Sequence, residues 1–243
     1  MKKLILFLCV WFFMVGGTPA FAINIDIWEV TDNNTTKINN WIGAQAGSTH
    51  VLEDFEGIDT GWYTKKDTGV GTFTAEGSIG EGATSYKDSD RPYFSVQNHE
   101  SYWYGRSNTT TSEGASQWLD SGDITRLTLT LKNKSLTNLF FYMQDPADIL
   151  GTKTELSIMT EKNDIVYTTS CTFFDKKDKA SFFVGISLTD DEEVLSKLSW
   201  LTNSQNDGFG LDDFSTIHNP EPATMLLFGF GLIGIAGISR RMI

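Results

Sequence analysis

The chain has 243 residues, a formal net charge of −12 and two cysteines. Its 31 acidic residues against 19 basic ones make a surface that repels polyanions, which excludes nucleic acid as a partner. The acidic balance suits solubility or cation binding, and the length is ample for a hydrophobic core of its own.

Residues 1–22 are built for export. Met1-Lys2-Lys3 is basic, Leu4 to Val15 is apolar, and the small-residue stretch that follows ends in Ala20-Phe21-Ala22. That order is a secretory signal peptide with an A-x-A site, and the cut is expected after Ala22. Cys9 lies inside the apolar stretch and would leave with it, so only Cys171 stays in the exported chain. No intramolecular disulfide can then staple the body. Cys171 reads as a small buried hydrophobe in the run Thr169 to Phe173.

Lys2, Lys3, Arg240, Arg241 and Glu221 lie in the two flanking segments. The stretch 23–219 therefore holds 30 acidic and 15 basic residues and carries about −15.

Residues 23–49 are polar and asparagine-rich, and are expected to be a loop with one early strand around Ile25, Ile27 and Trp28. From residue 50 to 217 the pattern is β almost throughout. Val51 to Glu56 reads as a first strand closed by Gly57, and residues 57–120 as short strands between long loops. Leu127, Leu129 and Leu131 alternate with threonines, the period of two of a half-buried strand. Leu139 to Met143 is apolar on both faces, as for a strand deep in a sandwich. Further strands are expected at Leu156–Ile158, Ile165–Thr169, Phe182–Leu188 and Gly208–Ile217. Thr189-Asp190-Asp191-Glu192 has the form of a capping box, which predicts one short helix over about 190–197. The fold class is mainly β, an antiparallel β-sandwich with one short helix, flanked by an N-terminal signal helix and a C-terminal transmembrane helix.

Two constellations could carry binding. Glu53, Asp54 and Glu56 lie on the first strand of the body, and Asp207, Asp212 and Asp213 around the last. If those strands pair, an oxygen-rich site suited to a structural calcium results; the competing role is solvated carboxylates that protect an edge. Asp145 and Asp148 follow a buried strand and suit a turn. The aromatics Trp62, Tyr63, Tyr93, Tyr102, Trp103, Tyr104 and Trp118 crowd the loop-rich half. Exposed flat rings beside polar side chains stack on sugars, whereas rings turned inward would simply fill the core. Catalysis has little behind it. His50, His99 and His218 show neither metal-ligand spacing nor a G-x-S-x-G companion, and a pair of acids for glycoside hydrolysis has no distinguishing pattern.

Residues 218–243 are a separate segment. Pro220-Glu221-Pro222 breaks both helix and strand and leaves an extended, accessible backbone. Residues 223–239 carry no charge and would span about 25 Å as a helix, short for a hydrocarbon core of about 30 Å but usable. Arg240-Arg241 then belongs on the cytoplasmic side. The hexapeptide Gly229 to Gly234 matches G-x-G-x-x-G, but only nine residues follow, so no βαβ unit can form around it.

This tail resembles the PEP-CTERM sorting signal of exopolysaccharide-producing Gram-negative bacteria. The resemblance implies recognition by an exosortase, a membrane-embedded transpeptidase-like enzyme, with cleavage near Pro220-Glu221-Pro222. Phe140 to Asp148, Phe182 to Ile186 and Asn206 to Phe214 resemble the ectodomain common among such proteins, which is similar to the jelly-roll sandwiches of carbohydrate-binding modules. The expected protein is non-catalytic and exported, held briefly in the membrane and then released to the cell surface or matrix with exopolysaccharide. The alternatives are a calcium-stabilised carbohydrate-binding module and, behind it, a secreted glycan hydrolase.

Overall fold

The computed structural model describes residues 23–45, 47–79, 91–98, 117–146, 152–162, 167–171, 180–189, 193–204 and 207–218. The signal peptide, the sorting tail with its expected helix, and Tyr102-Trp103-Tyr104 lie outside them.

Alternation of apolar and polar residues produces two antiparallel sheets. Among the described residues the first has eight strands in the order β1 (Ile23–Glu29), β12 (Ser181–Leu188), β9 (Asn138–Gln144), β14 (Gly210–His218), β7 (Trp118–Asp120), β6 (Phe94–Gln97) and β3 (Gly61–Tyr63), with β2 (Ser48–Glu53) also paired to β14. The second has six, in the order β11 (Tyr167–Cys171), β10 (Thr154–Thr160), β13 (Leu195–Thr202), β8 (Ile124–Leu131), β5 (Gly71–Ile79) and β4 (Lys65–Asp67). From β8 to β14 the chain passes repeatedly between the sheets, so sequence neighbours face each other across the core. The protein is a mainly β antiparallel sandwich.

The core lies between the sheets. Leu127, Leu129 and Leu131 of β8 meet Leu139, Phe141 and Met143 of β9, with Phe214 and Trp200 fully buried among them. Phe141 and Phe214 stack at 4.9 Å, and Phe73, Phe55 and Trp200 approach Phe214 at 5.6 to 6.4 Å. Such ring pairs add to the area they bury.

Two expectations fail. The polar stretch 23–49 is not a loop after its strand, because α1 occupies Asp32–Ala44. Thr31 precedes it in extended geometry, and Asp32 places an acid at the positive end of the helix dipole. Ile38, Trp41 and Ile42, spaced as one helical face, pack on Phe140 and Phe183 to make a second apolar cluster. That cluster covers the outer side of the first sheet. Gly185 makes the approach possible, since a Cβ there would lie 2.7 Å from Trp41 Cε2.

The helix expected at 190–197 is the second failure. Leu195 to Lys197 open strand β13, which pairs with β10 and β8 on its two sides. Leu195, Leu198 and Trp200 are buried, and a shift of register at Met159/Thr160 brings Leu195 opposite Thr160. Ladders on both sides and three buried side chains outweigh a local capping signal.

Candidate functional site

β2 and β14 do lie side by side, but β2 ends at Glu53, so Asp54 and Glu56 fall in the turn after it and Asp207 precedes β14. β2 pairs with β14 so that Glu53 stands opposite Phe214 and Ser48 opposite His218. Four of the six carboxylates accept from backbone amides. Glu53 accepts from the amides of Phe55 at 2.7 Å and Gly69 at 2.5 Å. Asp54 accepts from Glu56 N, Glu56 from Gln117 N at 2.7 Å, and Asp212 from Asp213 N at 2.9 Å. Phe55 and Asp213 take left-handed backbone, φ 61° and 53°. For a bulky Phe55 that is a strained conformation, and Glu53 holds the amide at its centre. Asp207 is buried near the start of β14.

Among the described residues no group of three or more His, Cys, Asp and Glu side chains could hold a metal ion together. Glu53, Asp54, Glu56, Asp207, Asp212 and Asp213 are thus not gathered into one carboxylate cluster among the described residues. Glu53, Asp54 and Asp212 hold nearby backbone amides, while Glu53 and Glu56 also tie in the distant amides of Gly69 and Gln117. Asp145, the other acid expected in a turn, closes β9 with φ 53° and donates its amide to Ala180 O; Asp148 lies outside the described residues.

The aromatic candidates separate. Trp118 is wholly buried, lying against the α-carbon of Gly210, where a Cβ would stand 3.1 Å from the indole. It cannot stack on a sugar, which corrects the expectation that it binds glycan; β7 is an interior strand and both its faces are covered. Trp62 is different. It lies on the edge strand β3, 41% exposed, with the Tyr93 ring at 4.9 Å and nearly perpendicular. Next to it Tyr63 donates its hydroxyl to Asp59 O at 2.6 Å, and Lys66 Nζ lies 4.6 Å from the Tyr63 ring centroid. The Tyr93 hydroxyl is held above its ordinary pKa, first by burial and then by the charge of Asp123. At neutral pH it stays a neutral hydrogen-bonding group beside the exposed indole. Lys66, on β4 three residues beyond Tyr63, was not marked by any sequence pattern.

A second polar site concerns the end of β14. Asn138, buried at the start of β9, uses its side-chain amide in place of a strand partner: Ile217 N donates to Oδ1 at 2.7 Å and Nδ2 donates to Ile217 O at 2.9 Å. Thr216 Oγ1 donates to Asn138 O at 2.9 Å. The backbone is thus fixed up to the residue before His218. Nothing but its place at the head of an apolar strand marked Asn138 in the sequence.

The fold and its last strand define a two-sheet β-sandwich that runs almost without interval into a C-terminal sorting segment. That segment is the PEP-CTERM protein-sorting motif, whose family model matches residues 220–241. The match takes in Pro220, Glu221, Pro222, Arg240 and Arg241. The chain carries this sorting signal, and the body it serves is the sandwich.

No curated protein matches the sequence. Among solved structures the fold is similar to the enzymatically active domain of tailspike protein 4 of bacteriophage CBA120, with 9% identity and a TM-score of 0.36 over 68% of this chain. The chain spans only 20% of that tailspike structure. It is also similar to the family 11 carbohydrate-binding module of a Clostridium thermocellum cellulase (10% identity, TM-score 0.33, 72% of this chain and 96% of that one). A family 29 carbohydrate-binding module matches at 10% identity and TM-score 0.30, over 70% of this chain and 91% of that one.

Proposed function

We propose that this is a non-catalytic exported protein, delivered to the cell surface or extracellular matrix by exosortase-type removal of its tail, and associated there with exopolysaccharide. The observation that carries the reading is the sorting motif at 220–241. Two features of the chain support it. Residues 1–22 have the layout of a signal peptide cut after Ala22, and the 17 uncharged residues 223–239 followed by Arg240-Arg241 suit a brief membrane stay with the basic end in the cytoplasm. Terminal mass spectrometry on protein from exosortase-competent cells tests it. The mature chain is expected to begin at Ile23 and to end near Pro222; a mature form that retains Arg240-Arg241 would falsify the delivery route.

A second reading adds recognition of a saccharide at the Trp62 edge. The exposed indole, the Tyr93 ring set across it and the neutral Tyr93 hydroxyl offer a face for C–H/π contact with a hydrogen-bonding group beside it. Glycan-array binding that is lost in Trp62→Ala supports this reading, and a blank array removes it.

A further inference from the structure

We infer that one end of the eight-stranded sheet is the docking face for the membrane-embedded enzyme that cuts the tail. The inference rests on the processing reading above, and its own basis is where the strand ends fall. β14 finishes at His218 beside Ser48 at the start of β2, and Asn138 at the start of β9 grips Ile217 on the other side. Asn138 is next to Ser187 of β12, and Leu188 is opposite Ile23, the first residue of β1. Five strand ends, Ile23, Leu188, Asn138, His218 and Ser48, therefore form one row. The point where the signal peptide is expected to leave and the point where the sorting tail leaves lie on it, three strand spacings or about 14 Å apart. Both membrane-directed segments emerge from the same side of the folded body.

The reach of the tail is short. From His218, the last strand residue, to Pro222 are four residues, which span at most about 14 Å fully extended. An enzyme bound to Pro220-Glu221-Pro222 is itself tens of ångströms across by ordinary domain dimensions. It cannot engage the motif without resting against this row while β14 stays paired. The pairing is not easily given up. Peeling back Ile217 would strip a buried amide and carbonyl of the Asn138 side chain, and each orphaned group costs about 1–3 kcal/mol. The exposed residues on the row, Asn24, Ser48 and Thr49, are small and polar, so a partner surface can approach the backbone closely. The partner is thus the periplasmic face of a membrane peptidase, and the contact is made by the folded sandwich as well as by the tail.

The test is pulse-chase processing of the full-length chain in exosortase-competent cells, with limited proteolysis of the same samples to report folding. Asn24→Trp with Thr49→Trp places bulk on the row outside the core. It is expected to slow conversion to the shortened form several-fold while leaving the body protease-resistant. A flexible Gly/Ser insert of about twelve residues between His218 and Asn219 lengthens the reach, and is expected to abolish the effect of the two tryptophans. Unchanged conversion of the double variant at native spacing overturns the docking face. Faster conversion of Asn138→Ala, with the tryptophans silent, also overturns it, since it would mean that β14 unzips to be cut. If the unaltered chain is never shortened, the processing reading fails instead, which is a separate result.

Discussion

The two faces of β9 and β12 are both apolar, but they are covered in different ways. On the inner face Leu139, Phe141, Val184 and Ile186 join a core closed by the second sheet. On the outer face Phe140, Phe183 and the flanking Trp28 are closed, among the described residues, by one helix, α1, through Ile38 and Trp41. The inner cluster is bounded by strands whose ladders run through both sheets, so no part of it can be lost alone. The outer one depends on a helix that is polar over most of its surface and hangs from β1 at the sheet edge. A region closed by one element can open locally at less than the global cost. The sandwich should therefore behave as a rigid body with a detachable outer cover.

The largest expected effect tests the rigid half. Phe214→Ala removes a ring stacked on Phe141 and in contact with Phe55, Phe73 and Trp200. It should cost about 3–5 kcal/mol, seen in urea unfolding as a lower midpoint for all probes together. Trp41→Ala should cost less, about 2–3 kcal/mol, because detachment of α1 caps the loss below the full large-to-small range. Hydrogen exchange should then speed up in Asp32–Ala44 and leave β8 and β9 protected. Equal acceleration in both regions would merge the two clusters into one cooperative unit. Gly185→Ala probes the same seam from the sheet side. The added methyl meets the Trp41 and Phe183 rings inside contact distance, so a cost of about 1–3 kcal/mol is expected from overpacking, again with exchange localised to α1.

The smallest effect is alkaline. Burial, and after it the Asp213 carboxylate, keeps the Tyr142 proton on above the ordinary value of 10.0. The stability this contributes is fully present below pH 10 and is lost as pH rises through the raised value. Tyr142→Phe should flatten that part of the alkaline melting curve and leave the curve below pH 9 unaltered in shape.

Much of the sandwich was legible because alternation is a local signal. Leu127 to Leu131, Leu139 to Met143 and Phe182 to Leu188 each declare two faces within a few residues, and all fall in strands. The apolar outer face of Leu139–Met143 even announced that something must cover it. What covers it was not legible. Asn33, Asn34, Thr35 and Thr36 are poor helix formers, and only Ile38, Trp41 and Ile42 have helical spacing. The reverse error at 190–197 has the same origin: a capping box is a preference of the order of a kilocalorie, and β13 sits between two ladders that override it. At the candidate sites, Trp62 and Trp118 look alike as residues, yet one occupies an edge strand and the other an interior one.

The sequence by itself determined that the chain carries a C-terminal sorting signal. The motif is a linear segment, so its order of Pro-Glu-Pro, apolar span and basic pair can be recognised along the chain before any fold is known. Strand periodicity determined the class of the body for a similar reason, because a two-residue repeat needs no distant partner. Only the tertiary structure decided which carboxylates would serve backbone amides, which tryptophan would meet solvent, and that an asparagine would lock the last strand at Ile217, three residues before the motif. Each of these depends on what stands opposite in a neighbouring strand. Strand order is set by long-range pairing, and no local pattern along the chain encodes it.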